Sequence, residues 1–384
     1  MKQKIALIFG TRPEIIKLSP LIRLFQRKKV PYFMIHSGQH YSYEMDRLFF
    51  KELELPEPHY QLGVRSKDVL RQSDHAGRMM IEIEDILLRE RPRWVLVQGD
   101  TNTVLAGALT TSKFMTTRDY TGIEMNVGHV EAGLRSYDRR MPEEINRFIA
   151  DHLSELLFAP TALSKRILLK ENVPAERIRV TGNTIVDAVN QNRKLAAKKS
   201  RILARLGLQR RKYFLLTLHR QENVDDPKRL RLAVKALADI YAKYRLPIVF
   251  PVHPRTTKQL KRFRIALPRG IVKTQPLGYL DFLALEAGAR LILTDSGGLQ
   301  EEAMILRVPC VTLRESTERP ETVSCGANVL TGLEPRTVLL GVRRMMAKKA
   351  SWKNALGDGR ASERILAALR SYRAVKSPRF RSGL

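Results

Sequence analysis

Six short polar clusters stand immediately after apolar runs in this chain. Gly10-Thr11-Arg12-Pro13-Glu14 follows Ile5 to Phe9, Gly99-Asp100-Thr101 follows Trp94 to Gln98, and His129-Val130-Glu131-Ala132-Gly133 closes a run that opens at Asn126. Later come His219-Arg220-Gln221-Glu222-Asn223, Val252-His253-Pro254 and Asp295-Ser296-Gly297-Gly298. Carboxylates and histidines can move protons. Thr11 followed three residues on by Glu14 has capping-box spacing, and Pro13 suits a first helical turn. Arg12 inside that cap and Lys17 one turn later add two cations to the positive end of a helix, a seat for a phosphate. The plainer alternative is a well-capped helix. Ser296, Gly297 and Gly298 let backbone N–H groups approach a diphosphate closely, and a tight strand-to-helix turn accounts for them equally well. Glu301 and Glu302, in the first turns of the helix that follows, can accept from ribose hydroxyls or simply complement the helix dipole.

These clusters need elements that hold them at one place. Short apolar runs alternate with longer amphipathic stretches: Ile5 to Phe9 with a helix over Pro13 to Arg27, and Trp94 to Gln98 with a helix over Asn102 to Phe114. Further strands are expected at Asn126 to Val130, Tyr213 to Leu218, Ile248 to Val252, Leu291 to Thr294 and Cys310 to Leu313, with a helix over Arg229 to Tyr244. Alternating β and α elements predict an α/β protein with parallel, doubly wound sheets, whose ligands sit outside the carboxyl ends of the strands. A break after Thr181-Gly182-Asn183-Thr184 leads into a very basic stretch from Lys194 to Lys212. Residues 1–180 and 181–360 are therefore read as two domains, with a last helix over Ser362 to Arg373, in segment 361–384, crossing back to the first.

Composition narrows the function. The chain has 384 residues, enough for two domains that each bury a core. No apolar run approaches a membrane span, and charge returns at Arg12 and Glu14, too early for a secretory signal, so a cytoplasmic protein without membrane insertion is expected. The two cysteines, Cys310 and Cys325, read as buried free thiols. A net charge of +29 raises nucleic-acid binding, yet no aromatic-interleaved RNA motif or zinc-finger spacing accompanies it. Solvated helix faces account for most of that charge. There is no G-x-G-x-x-G, no Walker A sequence and no cluster with metal-ligand spacing, so neither NAD nor a metal is expected. His36 and His40 read as structural residues beside the turn Ser37-Gly38-Gln39.

Taken in order, GTRPE, IKLSPLI, SGQH, QGDT, GHVEAGLRS, MPEEINR, TGNTIVDAV, LHRQEN, PVHP, DSGGLQEEA and STERPE resemble the UDP-N-acetylglucosamine 2-epimerases over most of the chain. The resemblance implies two Rossmann-like domains of the GT-B kind with the active site in the cleft between them, no cofactor, a UDP-sugar substrate and a homodimer. It implies inversion at carbon 2 by departure of UDP to a 2-acetamidoglucal and its re-addition. Asp100, Glu131 and Glu143 match the family's catalytic acids and His219 its essential histidine. Arg12, Lys17, His219, Ser296, Gly297 and Gly298 fall around the diphosphate, Phe282 against uracil, and Glu302 on the ribose. His253, Arg314 and Arg319 reach the same cleft. The segment Gln39-His40-Tyr41-Ser42-Tyr43-Glu44-Met45 departs from the family's usual Gln-His-Arg-Glu-Met, so substrate activation at a second site is not expected. A hydrolysing epimerase shares these motifs, and a GT-B glycosyltransferase or a basic nucleic-acid-binding protein on an inactive enzyme fold are the more distant readings.

Overall fold

The computed structural model describes residues 4–38, 43–64, 72–116, 124–139 and 141–372. Seven strands form the first sheet: β1 (Ile5–Phe9), β2 (Tyr32–His36), β3 (Tyr60–Gln61), β4 (Trp94–Gln98), β5 (Asn126–Val130), β6 (Leu156–Ala159) and β7 (Ile178–Val180). Six form the second: β8 (Phe214–Thr217), β9 (Ile248–Pro251), β10 (Ile271–Thr274), β11 (Leu291–Thr294), β12 (Cys310–Thr312) and β13 (Asn328–Leu330). The central strands β1, β4, β5 and β11 are buried at every residue, because helices cover both faces of a parallel sheet. That is why β1, β4 and β11 read as mainly apolar runs.

Strand order is β3-β2-β1-β4-β5-β6-β7 in one sheet and β10-β9-β8-β11-β12-β13 in the other, all parallel. Each order reverses once, between β1 and β4 and between β8 and β11. At such a switch point the following loops diverge and leave a crevice at the carboxyl ends. Four of the six polar clusters leave these four strands.

The helix Thr184–Lys199 joins the sheets and packs on both the Arg12–Arg27 and Tyr279–Gly288 helices. Its N-cap is Asn183, whose side chain accepts from Ile185 N at 3.0 Å. Ile185, Val186 and Val189 belong to one continuous core with Ile15 and Leu18 on one side and Leu283 and Met304 on the other. The chain then returns: the helix Ala361–Ser371 packs on Arg12–Arg27, and its first amides, Ala361 N and Ser362 N, donate to the Asp187 carboxylate at 3.1 and 3.0 Å. Arg373, expected in this helix, lies outside the described residues. Cys310 is buried, but Cys325 is only partly so, a correction to the expected pair of buried thiols. Cys325 follows the short Pro320–Ser324 helix at the edge of the core, where its Sγ donates to Thr322 O at 3.4 Å.

Asp187 satisfies two of the orphan amides at the start of the returning helix. Asp187→Ala is expected to cost about 1 to 3 kcal/mol in urea unfolding, and Asp187→Asn, which keeps one acceptor, less.

Candidate active site

Glu14 ties the loops after β1 and β4 together. Its carboxylate accepts from Gly10 N and Thr11 N at 2.7 Å and from Thr101 Oγ1 at 2.5 Å. Burial lifts its pKa to about 7, although those donors oppose the shift. Arg12 begins the helix with its guanidinium over Phe49, 5.6 Å from the ring centroid. Lys17, one turn further, points into the interior between the two sheets.

There it meets Glu131, Glu301 and Arg319. Lys17 Nζ lies 2.5 Å from Glu131 Oε2 and 3.6 Å from Glu301 Oε2. Arg319 reaches the same two carboxylates, at 3.1 Å to Glu131 and 2.8 Å to Glu301. Gln98 Nε2 donates to Glu131 at 2.7 Å, and Asn183 Nδ2 to Glu301 at 3.3 Å. Burial alone would raise the pKa of Glu131, but Lys17 and Arg319 overcome it and hold the group below the ordinary carboxylate range. Glu301 goes the other way: burial wins over the same two cations. The backbone at Glu131 takes φ 73°, a left-handed conformation that costs a non-glycine residue about 1 to 2 kcal/mol. Behind it, His129 is fixed between Asp151, 2.7 Å from Nδ1, and Gly99 O, 2.8 Å from Nε2.

Asp100 stands at the mouth of this cluster with its side chain 32% exposed and 2.6 Å from Arg147 Nη1. Burial of its surroundings and the charge of Glu131 raise its pKa, with Arg147 opposing. The two neighbouring glutamates of the MPEEINR segment part company. Glu144 turns inward, accepting from Ser136 N at 3.1 Å and Tyr137 N at 2.8 Å and pairing with Arg147 at 2.9 Å. Glu143 is exposed on the first turn of the Pro142–Leu153 helix, and the structure does not bring it onto the cluster.

A cavity of about 290 Å³ opens between the two switch points. The first sheet contributes Pro13, Ile16 and Lys17, and the second His219, Ser296, Gly298 and Glu302, with Tyr279 and Phe282 along one edge. Asp295 fixes the His219 loop, accepting from His219 N and Arg220 N at 2.9 Å each, and its other oxygen is 3.2 Å from His219 Nδ1. Ser296 is the N-cap of the Gly297–Ile305 helix, so the positive end of that helix faces the cavity. Gly297 is needed for space: a Cβ there would stand 2.7 Å from Glu318 Oε1. Glu318 is clamped by Arg220 at 3.0 Å and Arg314 at 2.9 Å. Burial would raise its pKa, and Arg314, Arg319 and Arg220 pull it down to about 2. His253 is exposed as the N-cap of the Pro254–Arg262 helix, its ring 5.7 Å from that of His219, and does not line the cavity.

Lys17, Glu131 and Arg319 thus meet directly, and Lys17, His219, Phe282, Ser296, Gly298 and Glu302 share the cavity wall. Gln98, Arg147 and Tyr279 were missed as single residues. The first two lie inside the QGDT and MPEEINR motifs, and Tyr279 lies three residues before Phe282 on one helix. Gln39 and His40 lie outside the described residues. Among the described residues no group of three or more His, Cys, Asp or Glu is placed to hold a metal ion, and no helix is long and apolar enough to cross a membrane.

Two parallel Rossmann-like sheets with facing switch points and a charged cleft between them define the GT-B class of two-domain α/β folds. A family model described as UDP-N-acetylglucosamine 2-epimerase matches residues 23–370. The chain is 50% identical over 372 residues to the UDP-N-acetylglucosamine 2-epimerase of Methanocaldococcus jannaschii, covering 95% of this chain and 98% of that one. The crystal structure of the M. jannaschii enzyme in complex with UDP-GlcNAc and UDP matches with a TM-score of 0.85, covering 96% of this chain and 99% of that one at 50% identity. The UDP-2,3-diacetamido-2,3-dideoxy-D-glucuronate 2-epimerase of Pseudomonas aeruginosa is 38% identical, covering 94% and 98% of the two chains. The chain belongs to the UDP-N-acetylglucosamine 2-epimerase family and is an isomerase of the epimerase type.

Gly297 and Gly298 differ in the space around them, since a Cβ on Gly298 meets nothing within 4 Å. Gly297→Ala is expected to lower stability by about 1 to 3 kcal/mol by driving Glu318 off its arginines. Gly298→Ala should stay within about 0.5 kcal/mol, as thermal melts of the two variants will show.

Proposed function

We propose that this protein interconverts UDP-N-acetylglucosamine and UDP-N-acetylmannosamine by elimination and re-addition of UDP. The observation that carries the reading is the placement of two neighbouring carboxylates: Asp100 partly exposed beside Arg147 and pushed up in pKa, Glu131 buried between Lys17 and Arg319 and held down. Environments that drive paired carboxyl groups apart in pKa separate proton transfer from charge stabilisation. Asp100, partly exposed and made more basic by burial and the Glu131 charge, is the group that takes the proton from carbon 2. Glu131 remains anionic and holds Lys17 and Arg319 in place.

Carbon 2 bears no adjacent carbonyl, so its proton becomes acidic only as the anomeric bond breaks. The C1–O bond cleaves with its electron pair going to the phosphate oxygen, and carbon 1 becomes oxocarbenium-like. Asp100 removes the carbon 2 proton, and the C–H pair forms the C1=C2 bond of 2-acetamidoglucal. Proton delivery to the opposite face and return of the UDP oxygen to carbon 1 complete the inversion. The N–H groups of Gly297 and Gly298 and the Ser296 hydroxyl, with Arg12 and His219, meet the diphosphate as its charge grows. Phe282 takes the uracil face and Glu302 the ribose. Arg314 and Arg319 back the cleft from within their buried ion pairs, and Glu143 and His253 complete the set from exposed helix starts, with Glu143 the candidate for the opposite face.

Residues 1–180 and 181–360 act as the two domains, with the Ala361–Ser371 helix of segment 361–384 returning to the first, and the protein works as a cytoplasmic homodimer. The hexose is the part that relatives vary, since the P. aeruginosa relative is named for a diacetamido uronate.

Proton and phosphorus NMR in deuterated water with UDP-N-acetylglucosamine tests the reaction. Deuterium at carbon 2 with UDP-N-acetylmannosamine supports it; UDP with free N-acetylmannosamine assigns a hydrolysing reaction, and an unchanged spectrum overturns the substrate. A second measurement tests the base. Removing the cation that opposes the rise, in Arg147→Met, lifts the Asp100 pKa further. Because the base must be ionised, the acid limb of kcat/KM should move to higher pH by about one unit or more, while Arg147→Lys leaves it near its original place.

A further inference from the structure

Behind the ribose end of the cavity lies a buried carboxyl group for which the chemistry above has no use. Glu286 is 0% exposed on the Tyr279–Gly288 helix, seven residues after Tyr279 and four after Phe282, so the three share one helix face. Its side chain meets that of Glu302 on the neighbouring helix. Neither Glu286 oxygen finds a donor among the described protein groups, whereas Glu302 Oε1 accepts from Tyr279 Oη at 3.0 Å. The titratable groups that face Glu286 are Glu302, Tyr279 of its own helix, Tyr213 beside β8 and Cys310 of β12. None of them is a cation.

Two carboxylates in contact in such an interior cannot both be ionised, so the pair keeps one proton. Tyr279 already stabilises charge on Glu302, and nothing stabilises charge on Glu286. The proton therefore resides on Glu286, in line with burial and the Glu302 charge driving its pKa well above the ordinary range. A carboxylate offers about four lone-pair sites. On Glu302, Tyr279 and Glu286 fill two, and two are left on the cavity side, the number a ribose diol requires.

We propose that Glu286 is a positioning residue for nucleotide recognition: as a neutral acid it donates to Glu302 and, with Tyr279, fixes that carboxylate to accept both ribose hydroxyls. This rests on the reading that Glu302 takes the ribose.

Calorimetric titration of the full-length protein with UDP and with 2′-deoxy-UDP tests both levels. The unmodified protein should prefer UDP by about tenfold or more, the scale of a hydrogen bond to a charged group. Glu302→Gln should abolish that preference, and if it survives, the ribose assignment fails. Glu286→Leu should also lose the preference while still binding 2′-deoxy-UDP, which shows that the variant is folded. Glu286→Gln, a permanent neutral donor, should retain the preference. If Glu302→Gln loses the preference and Glu286→Leu keeps it, or if Glu286→Gln loses it, the role of Glu286 is overturned with the ribose assignment intact.

Discussion

Two cations and two carboxylates buried between the sheets set the terms for the rest of this molecule. Lys17 and Glu131 come from the first sheet's side, Glu301 and Arg319 from the second, and each cation touches both carboxylates. Burying four charges costs several kcal/mol per ion before their attraction returns it, so the cluster is no argument for stability. What it does fix is relative placement, since a shift of one sheet against the other strands charges away from water. The supporting structure follows from that constraint. Glu131 tolerates a left-handed backbone, Gln98 satisfies one of its oxygens, and Asn183 caps the connecting helix while its amide reaches Glu301.

The central architecture was legible because parallel strands buried on both faces leave apolar runs, and polar clusters follow them at the carboxyl ends. Strands at the margins escaped the same reading for physical reasons. β3 has two residues, β7 exposes Arg179 and Val180, and β10 is partly exposed throughout, so none carries an apolar run. Side-chain direction was the second gap. Glu143 and Glu144 are equivalent in sequence, yet only the fold shows that Glu144 is used up by a turn and Arg147. Substrate identity came from neither period nor burial; the ordered motifs supplied it through resemblance.

Glu301 and Glu302 show how much depends on direction alone. Successive residues on a helix diverge by about 100°. Glu301 consequently enters the charge cluster, and Glu302 faces the cavity and Tyr279. One turn of helix thereby joins the nucleotide end of the cleft to the groups proposed for proton transfer. Its N-terminus, capped at Ser296, is the seat proposed for the diphosphate. A ligand that moves this turn acts on all three sites at once.

This arrangement also decides which groups can meet a departing diphosphate. Lys17 and Arg319 are already matched by Glu131 and Glu301, and Arg220 and Arg314 by Glu318. A phosphate that drew on those cations would have to displace a buried carboxylate, at the cost of leaving it unpaired. The helix N-terminus after Ser296 needs no such displacement: Ser296 N is taken by Thr294 Oγ1 at 2.9 Å, and the amides of Gly297 and Gly298 stand in the first turn, where a helix leaves its donors unpaired and its dipole is fixed in advance. In the proposed reaction, negative charge grows on the leaving oxygen where donors are free, while Lys17 and Arg319 keep Glu131 ionised beside the sugar. Separating the two tasks lets one small cleft stabilise an anion at one end and remove a proton at the other, and the formal +29 of the whole chain plays little part in either.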